Sequence, residues 1–188
     1  MSLTTAEIRC VVNDIAPRIE GSTLVRFDQP EIRRIILHLH RDDRRFWLQI
    51  VAAPNFSRLH LLTRRPKKTE SNSGLCAVAR EHLHGAPLKR MSQVQGDRVV
   101  VLEFEVRDAL LRPTRMSVIA ELIGTGSNVI LVDDEDVILG SMFTEDSDRR
   151  RIVPGETFEP LPPPPSEPKR AQENRFEKGW DPEDALSL

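Results

Sequence analysis

Asp97 and Arg98 are the two residues whose types and position best suit them to recognition chemistry. They close the corner Gln95-Gly96-Asp97-Arg98 and stand at the entrance to the strand pattern Val99 to Val106. An arginine there can reach a phosphate with its planar fork of donors, while the adjacent carboxylate holds the guanidinium or a ribose hydroxyl. Spacing alone equally fits a surface ion pair that caps a hairpin, worth about 0–1 kcal/mol. A second cluster, Arg64-Arg65-Pro66-Lys67-Lys68, precedes a helix pattern whose exposed face should carry Arg80. Cations beside a helix start suit phosphate, although a solvated charge run has the same composition. The chain has no Tyr, seven Phe and two Trp, so aromatic residues are scarcely interleaved with the basic ones. That argues against base stacking on a sheet and for recognition of backbone and shape.

Other reactive residue types fall short of a site. His38 and His40 share a strand face and could meet His60, but no Cys or carboxylate pattern completes a metal set, so they read as structural histidines. Gly124-Thr125-Gly126-Ser127-Asn128 lies between two strand patterns and reads as a tight turn, not a phosphate loop. Glu103 and Glu105 share a strand face and read as solvated. No G-x-S-x-G, H-E-x-x-H or C-x-x-C occurs. No catalytic residue, metal or cofactor is therefore assigned. Cys10 and Cys76 fall in helical patterns with apolar neighbours and are expected to be free, buried thiols.

These residues need a scaffold. Leu3 to Ile8 carries a helix start: Thr4 caps, Glu7 completes a capping box, and Leu3 with Ile8 forms a hydrophobic staple. Ile8, Val11, Val12 and Ile15 mark one face, and Gly21 ends the helix. Strand patterns follow at Thr23 to Phe27, Ile35 to Leu39, Phe46 to Val51 and Leu59 to Leu62, with Asp42-Asp43 as a hairpin turn. Leu75 to Leu83 is a second helix, capped by Ser73 and ended by Gly85. Strands resume to about Phe143; in one of them Val100, Leu102, Phe104 and Val106 share a face. The order predicts an α+β fold: a mostly antiparallel β-sandwich or open barrel flanked by two helices. Residues 1–160 form the domain; 161–188 read as a proline-rich, charged linker or the start of a following segment.

At 188 residues and 39% hydrophobic content, one core is affordable. The net charge of −2 neither demands nor excludes a nucleic-acid partner, but its distribution is uneven. Residues 58–98 hold nine basic and three acidic side chains, a net of +6; residues 128–148 hold seven acidic and no Lys or Arg, a net of −7. Such polarity favours oriented docking onto a polyanion. No leader pattern and no apolar run near ~20 residues is present, which predicts a soluble cytoplasmic protein with no membrane partner.

The Gln95-Gly96-Asp97-Arg98 corner, followed by Glu121-Leu122-Ile123-Gly124 and Ser127-Asn128 before Val129 to Asp133, resembles the amino-terminal domain of the NFACT family. These are the RqcH-like and fibronectin-binding protein A-like factors of ribosome quality control. The likeness runs from about residue 2 to residue 160, through Leu3-Thr4, Arg58-Leu59-His60-Leu61, Leu75-Cys76 with Arg80, and Val153-Pro154-Gly155. It departs at Arg65-Pro66-Lys67-Lys68, where the family usually has Lys-Pro and further prolines, and at Arg80-Glu81, where Arg-Lys is usual. The resemblance implies a fold similar to the amino-terminal domain of formamidopyrimidine-DNA glycosylases. Those enzymes use an amino-terminal proline; Ser2-Leu3 stands here, so the chain is expected not to be an enzyme. It implies binding to a large ribosomal subunit with an obstructed peptidyl-tRNA, and positioning of tRNA for untemplated tailing, with alanine in bacteria. The tRNA-facing residues would be Asp97 and Arg98, with Glu121, Leu122, Arg80, Arg64, Arg65, Lys67 and Lys68. No small-molecule substrate is implied. The alternatives are a glycosylase-like nucleic-acid enzyme and an extracellular fibronectin-binding adhesin.

Overall fold

A computed structural model describes residues 2–67, 73–148 and 150–161. The first helix, α1 (Thr5–Ile19), begins as its sequence dictates. Thr4 N–H donates to Glu7 Oε2 at 2.7 Å, and Glu7 N–H donates to Thr4 Oγ1 at 3.3 Å. This reciprocal cap satisfies two of the donors that a helix start leaves without intrahelical partners. Ile8, Val12, Ile15 and Ile19 are buried along one face, and Gly21, at φ +80°, takes the left-handed turn that ends the element.

Four antiparallel strands follow in spatial order: β1 (Thr23–Glu31), β2 (Arg34–Arg41), β3 (Arg44–Val51) and β4 (Arg58–Leu61). The β2–β3 turn is Asp42-Asp43, with Asp42 at φ 53°, a conformation that aspartate tolerates better than most side chains. β1 is longer than its short apolar pattern suggested, because two register shifts against β2 carry it past polar residues to Glu31. Helix α2 (Gly74–Leu83) comes next; Ser73 Oγ accepts from Cys76 N–H at 3.2 Å.

The second sheet has five antiparallel strands in order: β5 (Leu88–Gln93), β6 (Val99–Arg107), β7 (Pro113–Glu121), β8 (Asn128–Val132) and β9 (Ile138–Ser141). A small hairpin, β10 (Glu145–Ser147) with β11 (Arg150–Ile152), follows. The two sheets pack as a sandwich, and among the described residues no barrel closes. Each helix covers a seam between edge strands: α1 packs on β4 and β5, and α2 on β9 and β1. Edges are thereby shielded from stray pairing.

The core lies between the sheets and helices. Val100, Leu102 and Phe104 point into it from β6, with Leu37 and Leu48 opposite and Leu75 and Leu83 from α2. The period-two alternation then explains a second cluster. Val99, Ile119, Ile130 and Val132 emerge on the other face of the five-stranded sheet, where Ile152 from β11 and Phe158 cover them. All five residues of β8 are buried for this reason. The two cysteines are unbridged, as expected, but Cys10 is exposed and only Cys76 is buried. Cys10 sits on the solvent side of α1, between the buried positions Ile8 and Val12, so its apolar neighbours in sequence are not its neighbours in space. Among the described residues, no helix is long and apolar enough to cross a membrane.

Candidate nucleic-acid interface

Strand direction brings the distinctive residues to one end of the sandwich. β6 begins, β7 ends and β8 begins there; on the other sheet, β3 ends and β4 begins there. Asp97 and Arg98 occupy the β5–β6 turn. Val94 accepts from Asp97 N–H at 3.1 Å and donates to Val99 at 2.9 Å, closing the turn around Gly96. Gly96 sits at φ +77°, a region open to glycine and strained for other residues. Asp97 Oδ1 accepts from Arg98 N–H at 2.6 Å, and its other carboxylate oxygen takes no hydrogen bond among the described residues. No ion pair engages the Arg98 guanidinium among those residues. Both side chains are half-exposed.

The corner is tied down from three directions. Gln93 Nε2 donates to Asp97 C=O at 2.6 Å and to Thr5 C=O at 2.9 Å, so one amide joins the turn to the start of α1. Leu122 N–H donates to Arg98 C=O at 2.8 Å. Ser57 Oγ donates onward to Leu122 C=O at 3.3 Å, and Ser57 C=O accepts from Leu3 N–H at 3.1 Å. Thus Leu3-Thr4, Arg58, Asp97-Arg98 and Glu121 to Gly124, far apart in sequence, adjoin one another. A groove between α1 and β5, lined by Arg9, Asn13, Arg90, Gln93 and Gln95, runs beside the turn.

Glu121 and Leu122 belong to this end but not to its surface. They are 1% and 0% exposed, so, against the expectation from the sequence, neither side chain reaches an RNA backbone. Leu122 is core. Glu121 takes two hydrogen bonds from Arg150, at 2.6 and 2.8 Å, forming a buried bidentate pair. Burial pushes the Glu121 carboxyl above the ordinary range; Arg150 opposes the shift, while Asp97 and Glu145 add to it. Arg150 escaped the reading of the sequence because nothing local in Asp148 to Ile152 signals a partner twenty-nine residues away. Gln93 escaped it for the same reason: its two acceptors come from a turn and a distant helix.

The basic segment divides. Arg64, Arg65 and Lys67 are exposed in the chain that leaves β4, and Lys68 lies outside the described residues. Arg80 is exposed on α2, at the β1–β9 seam, away from the Asp97 turn. Acidic Asp133 to Asp136 form the β8–β9 turn at the other end of the five-stranded sheet, where Asp136 meets Arg115 at 3.2 Å. The acidic β8–β9 turn is therefore far from the Asp97 end, whereas Glu145, from the same acidic segment, lies close enough to act on Glu121 together with Asp97.

The outer face of the four-stranded sheet carries His38 and His60. His38 Nε2 lies 2.9 Å from buried Asp28, which also holds Arg26 at 2.6 Å; the His38–Asp28 approach is too poorly aligned for a good hydrogen bond. Burial is the main cause holding His38 below its ordinary 6.5; Asp28 opposes it, and Arg26 and Arg65 reinforce it. His60 is lowered by burial, then by Arg58 and Arg34. Both folded values lie below the unfolded one, so the unfolded chain takes up these protons first. The stability concerned is present above about 6.5 and is lost as pH falls from there through the folded values. Melting temperature should accordingly decline below pH 6.5 before carboxylates titrate, and His60→Gln should flatten that limb in a pH series of thermal scans. Among the described residues, no group of His, Cys, Asp and Glu could hold a metal ion.

The chain matches the family described as NFACT N-terminal and middle domains over residues 4–187. It is 28% identical over 168 residues to the archaeal Rqc2 homologue aRqcH of Methanocaldococcus jannaschii, covering 88% of this chain and 24% of that protein. It is 24% identical over 157 residues to the Rqc2 homologue RqcH of Bacillus subtilis, covering 81% and 27%. The chain therefore spans about a quarter of the length of these relatives. Among solved structures, the N-terminal domain of fibronectin-binding protein PavA from Streptococcus pneumoniae superposes with a TM-score of 0.73 at 24% identity, covering 81% of this chain and 59% of that one. The fibrinogen-binding protein from Staphylococcus aureus gives 0.69 at 26% identity, covering 81% and 53%.

Proposed function

We propose that this chain, which belongs to the family of NFACT N-terminal and middle domains, is a tRNA-engaging module of a ribosome quality control factor. The relatives named RqcH and Rqc2 support the quality-control role. The tRNA assignment rests on one observation: the Asp97-Arg98 turn is braced by Gln93, Leu122 and Ser57 while its guanidinium and one carboxylate oxygen stay open. A rigid turn that offers a cation and an acceptor side by side suits a phosphate with its neighbouring ribose. Arg9 and Arg90 along the adjoining groove continue the positive charge, and the acidic β8–β9 turn at the opposite end disfavours the reverse orientation.

In this reading the module contacts tRNA on an obstructed large subunit with peptidyl-tRNA and supports untemplated tailing of the nascent chain. Peptide-bond chemistry stays with the ribosome, and the chain acts in the cytoplasm. The test grafts this domain into a complete RqcH relative and assays tailing on stalled subunits. The graft should tail, and its Asp97→Ala/Arg98→Ala version should lose tailing with the fold intact by circular dichroism. Retained tailing would remove the pair from the site.

The names of the solved neighbours favour a second reading, adhesion to fibronectin or fibrinogen. Saturable binding to immobilised fibronectin, insensitive to Asp97 and Arg98, would support it.

A further inference from the structure

We propose that Arg34, Arg58 and His60, on the outer face of the four-stranded sheet, form a second seat for an RNA phosphodiester, continuous with the Asp97-Arg98 corner. The proposal rests on the tRNA reading above and extends it to a surface that reading does not use. Register places the three together. Val51 pairs with Arg34 on one side and Arg58 on the other, and His60 follows Arg58 by two residues on the same face. The two arginines thus stand about two strand spacings, roughly 10 Å, apart at the backbone, within reach of a shared anion for side chains of this length. Burial is the main cause of the lowered proton affinity of His60, and Arg58 and then Arg34 add to it, as cations close by would.

Donors exceed acceptors in this cluster. Arg34 meets Glu31 at 3.1 Å, and that carboxylate is the one acidic partner the cluster has among the described residues. Across the sheet, Asp28 is engaged by Arg26 and His38. Arg34 Nε and Arg58 Nε are enclosed yet donate to nothing described. His60 Nε2 accepts from Gln49 Nε2 at 3.4 Å, so the unpaired donors are those of the two arginines. Buried donors without acceptors are unfavourable, and an oxyanion with several lone pairs relieves them together.

Two features favour a nucleotide over a simple anion. The Arg58 guanidinium lies 3.5 Å from the centre of the Phe56 ring, which is itself 46% exposed. A guanidinium flattened on an exposed ring extends a stacking platform beside the charge. Arg58 also follows Ser57, whose hydroxyl bonds Leu122, whose N–H bonds Arg98 C=O. A strand passing the corner would meet Arg58 next.

The experiment measures binding of an unmodified tRNA transcript to the full chain across a salt series, for wild type, Arg98→Ala, Arg58→Met and Arg58→Lys. NMR follows the His60 imidazole titration, free and bound. Arg58→Met should weaken binding about tenfold and make the log–log salt slope shallower by roughly 0.7–0.9, the loss of one phosphate contact. Arg58→Lys should keep the slope and recover only part of the affinity. The His60 midpoint should rise when tRNA binds, and less with inorganic phosphate alone. If Arg98→Ala weakens binding while Arg58→Met keeps the wild-type affinity and slope, or if the His60 midpoint stays put, the second seat is overturned and the tRNA reading stands. An equal His60 shift with inorganic phosphate overturns the RNA assignment. If Arg58→Met weakens binding and Arg98→Ala does not, the corner falls and the sheet face stands. No binding by wild type overturns both. Should Arg58→Met fail to fold, Arg58→Lys and the His60 titration decide.

Discussion

Arg150→Ala should cost about 3–5 kcal/mol of folding stability, the usual consequence of stranding one partner of a buried ion pair. The pair is 5% and 1% exposed at its side chains, with two hydrogen bonds between guanidinium and carboxylate. Water cannot replace Arg150 without opening the sheet face beneath β10 and β11. Arg150 also donates to Glu159 C=O at 3.1 and 3.3 Å and lies 5.4 Å from the Phe158 ring. Its loss therefore loosens the segment that covers Ile130, Val132 and Ile138. Domains of this size are stable by about 5–15 kcal/mol, so the variant should sit near the edge of folding at 37 °C. Chemical denaturation checks the size of the effect.

The pH dependence of that variant identifies the cause. Without Arg150, burial alone acts on Glu121, together with the repulsion from Asp97 and Glu145, and its folded pKa rises further above the ordinary 4.5. A carboxyl with a raised folded value holds its proton more tightly when folded. Stability is then full below about 4.5 and is lost as pH rises through the folded value. The deficit of Arg150→Ala against wild type should grow between pH 4.5 and neutrality. A constant deficit would assign the loss to packing instead. Replacing both partners by apolar residues, Glu121→Leu with Arg150→Met, should recover much of the stability, because no buried charge is left alone.

The contrast between these residues and the Asp97 turn shows what a linear sequence discloses. The capping box at Thr4 and Glu7, the Asp42-Asp43 turn, the Ser73 cap and the strand alternation in β6 are local rules, and each appears where periodicity and turn chemistry place it. Gly96 and Gly124 marked the right turns. The second apolar cluster has no local mark, since Val99, Ile119 and Ile130 lie on the outer face of the five-stranded sheet and are buried by Ile152 and Phe158 from beyond the sheet. Pairings across long loops, such as Glu121 with Arg150 or Gln93 with Thr5, have no local signature. The family resemblance placed Glu121 in the site without distinguishing a contact from a support. Burial makes that distinction: Glu121 holds the floor behind Asp97, while Asp97 and Arg98 face outward.

Asp97→Asn should lower tRNA affinity without lowering stability, and that divergence is the sharpest expectation for the corner. Asparagine keeps an oxygen to accept Arg98 N–H, so the turn held at 2.6 Å by Asp97 survives. Removing the negative charge also relieves its repulsion on Glu121, which makes the buried pair easier to ionise. Stability should stay level or rise by a few tenths of a kcal/mol. The charge of Asp97 opposes the ionisation of Glu121 and so does not serve folding, and an open carboxylate oxygen beside Arg98 is suited to a ribose 2′-hydroxyl. Asp97→Asn should therefore erode the preference for RNA over DNA of the same sequence, whereas Arg98→Ala should weaken both. The Arg98 loss is expected at about 1.5–3 kcal/mol if its bond to phosphate is charge-assisted, with a salt slope shallower by roughly 0.7–0.9. Measured by fluorescence anisotropy with matched RNA and DNA hairpins, an Asp97→Asn variant that melts lower and binds unchanged would make the pair a hairpin cap and nothing more.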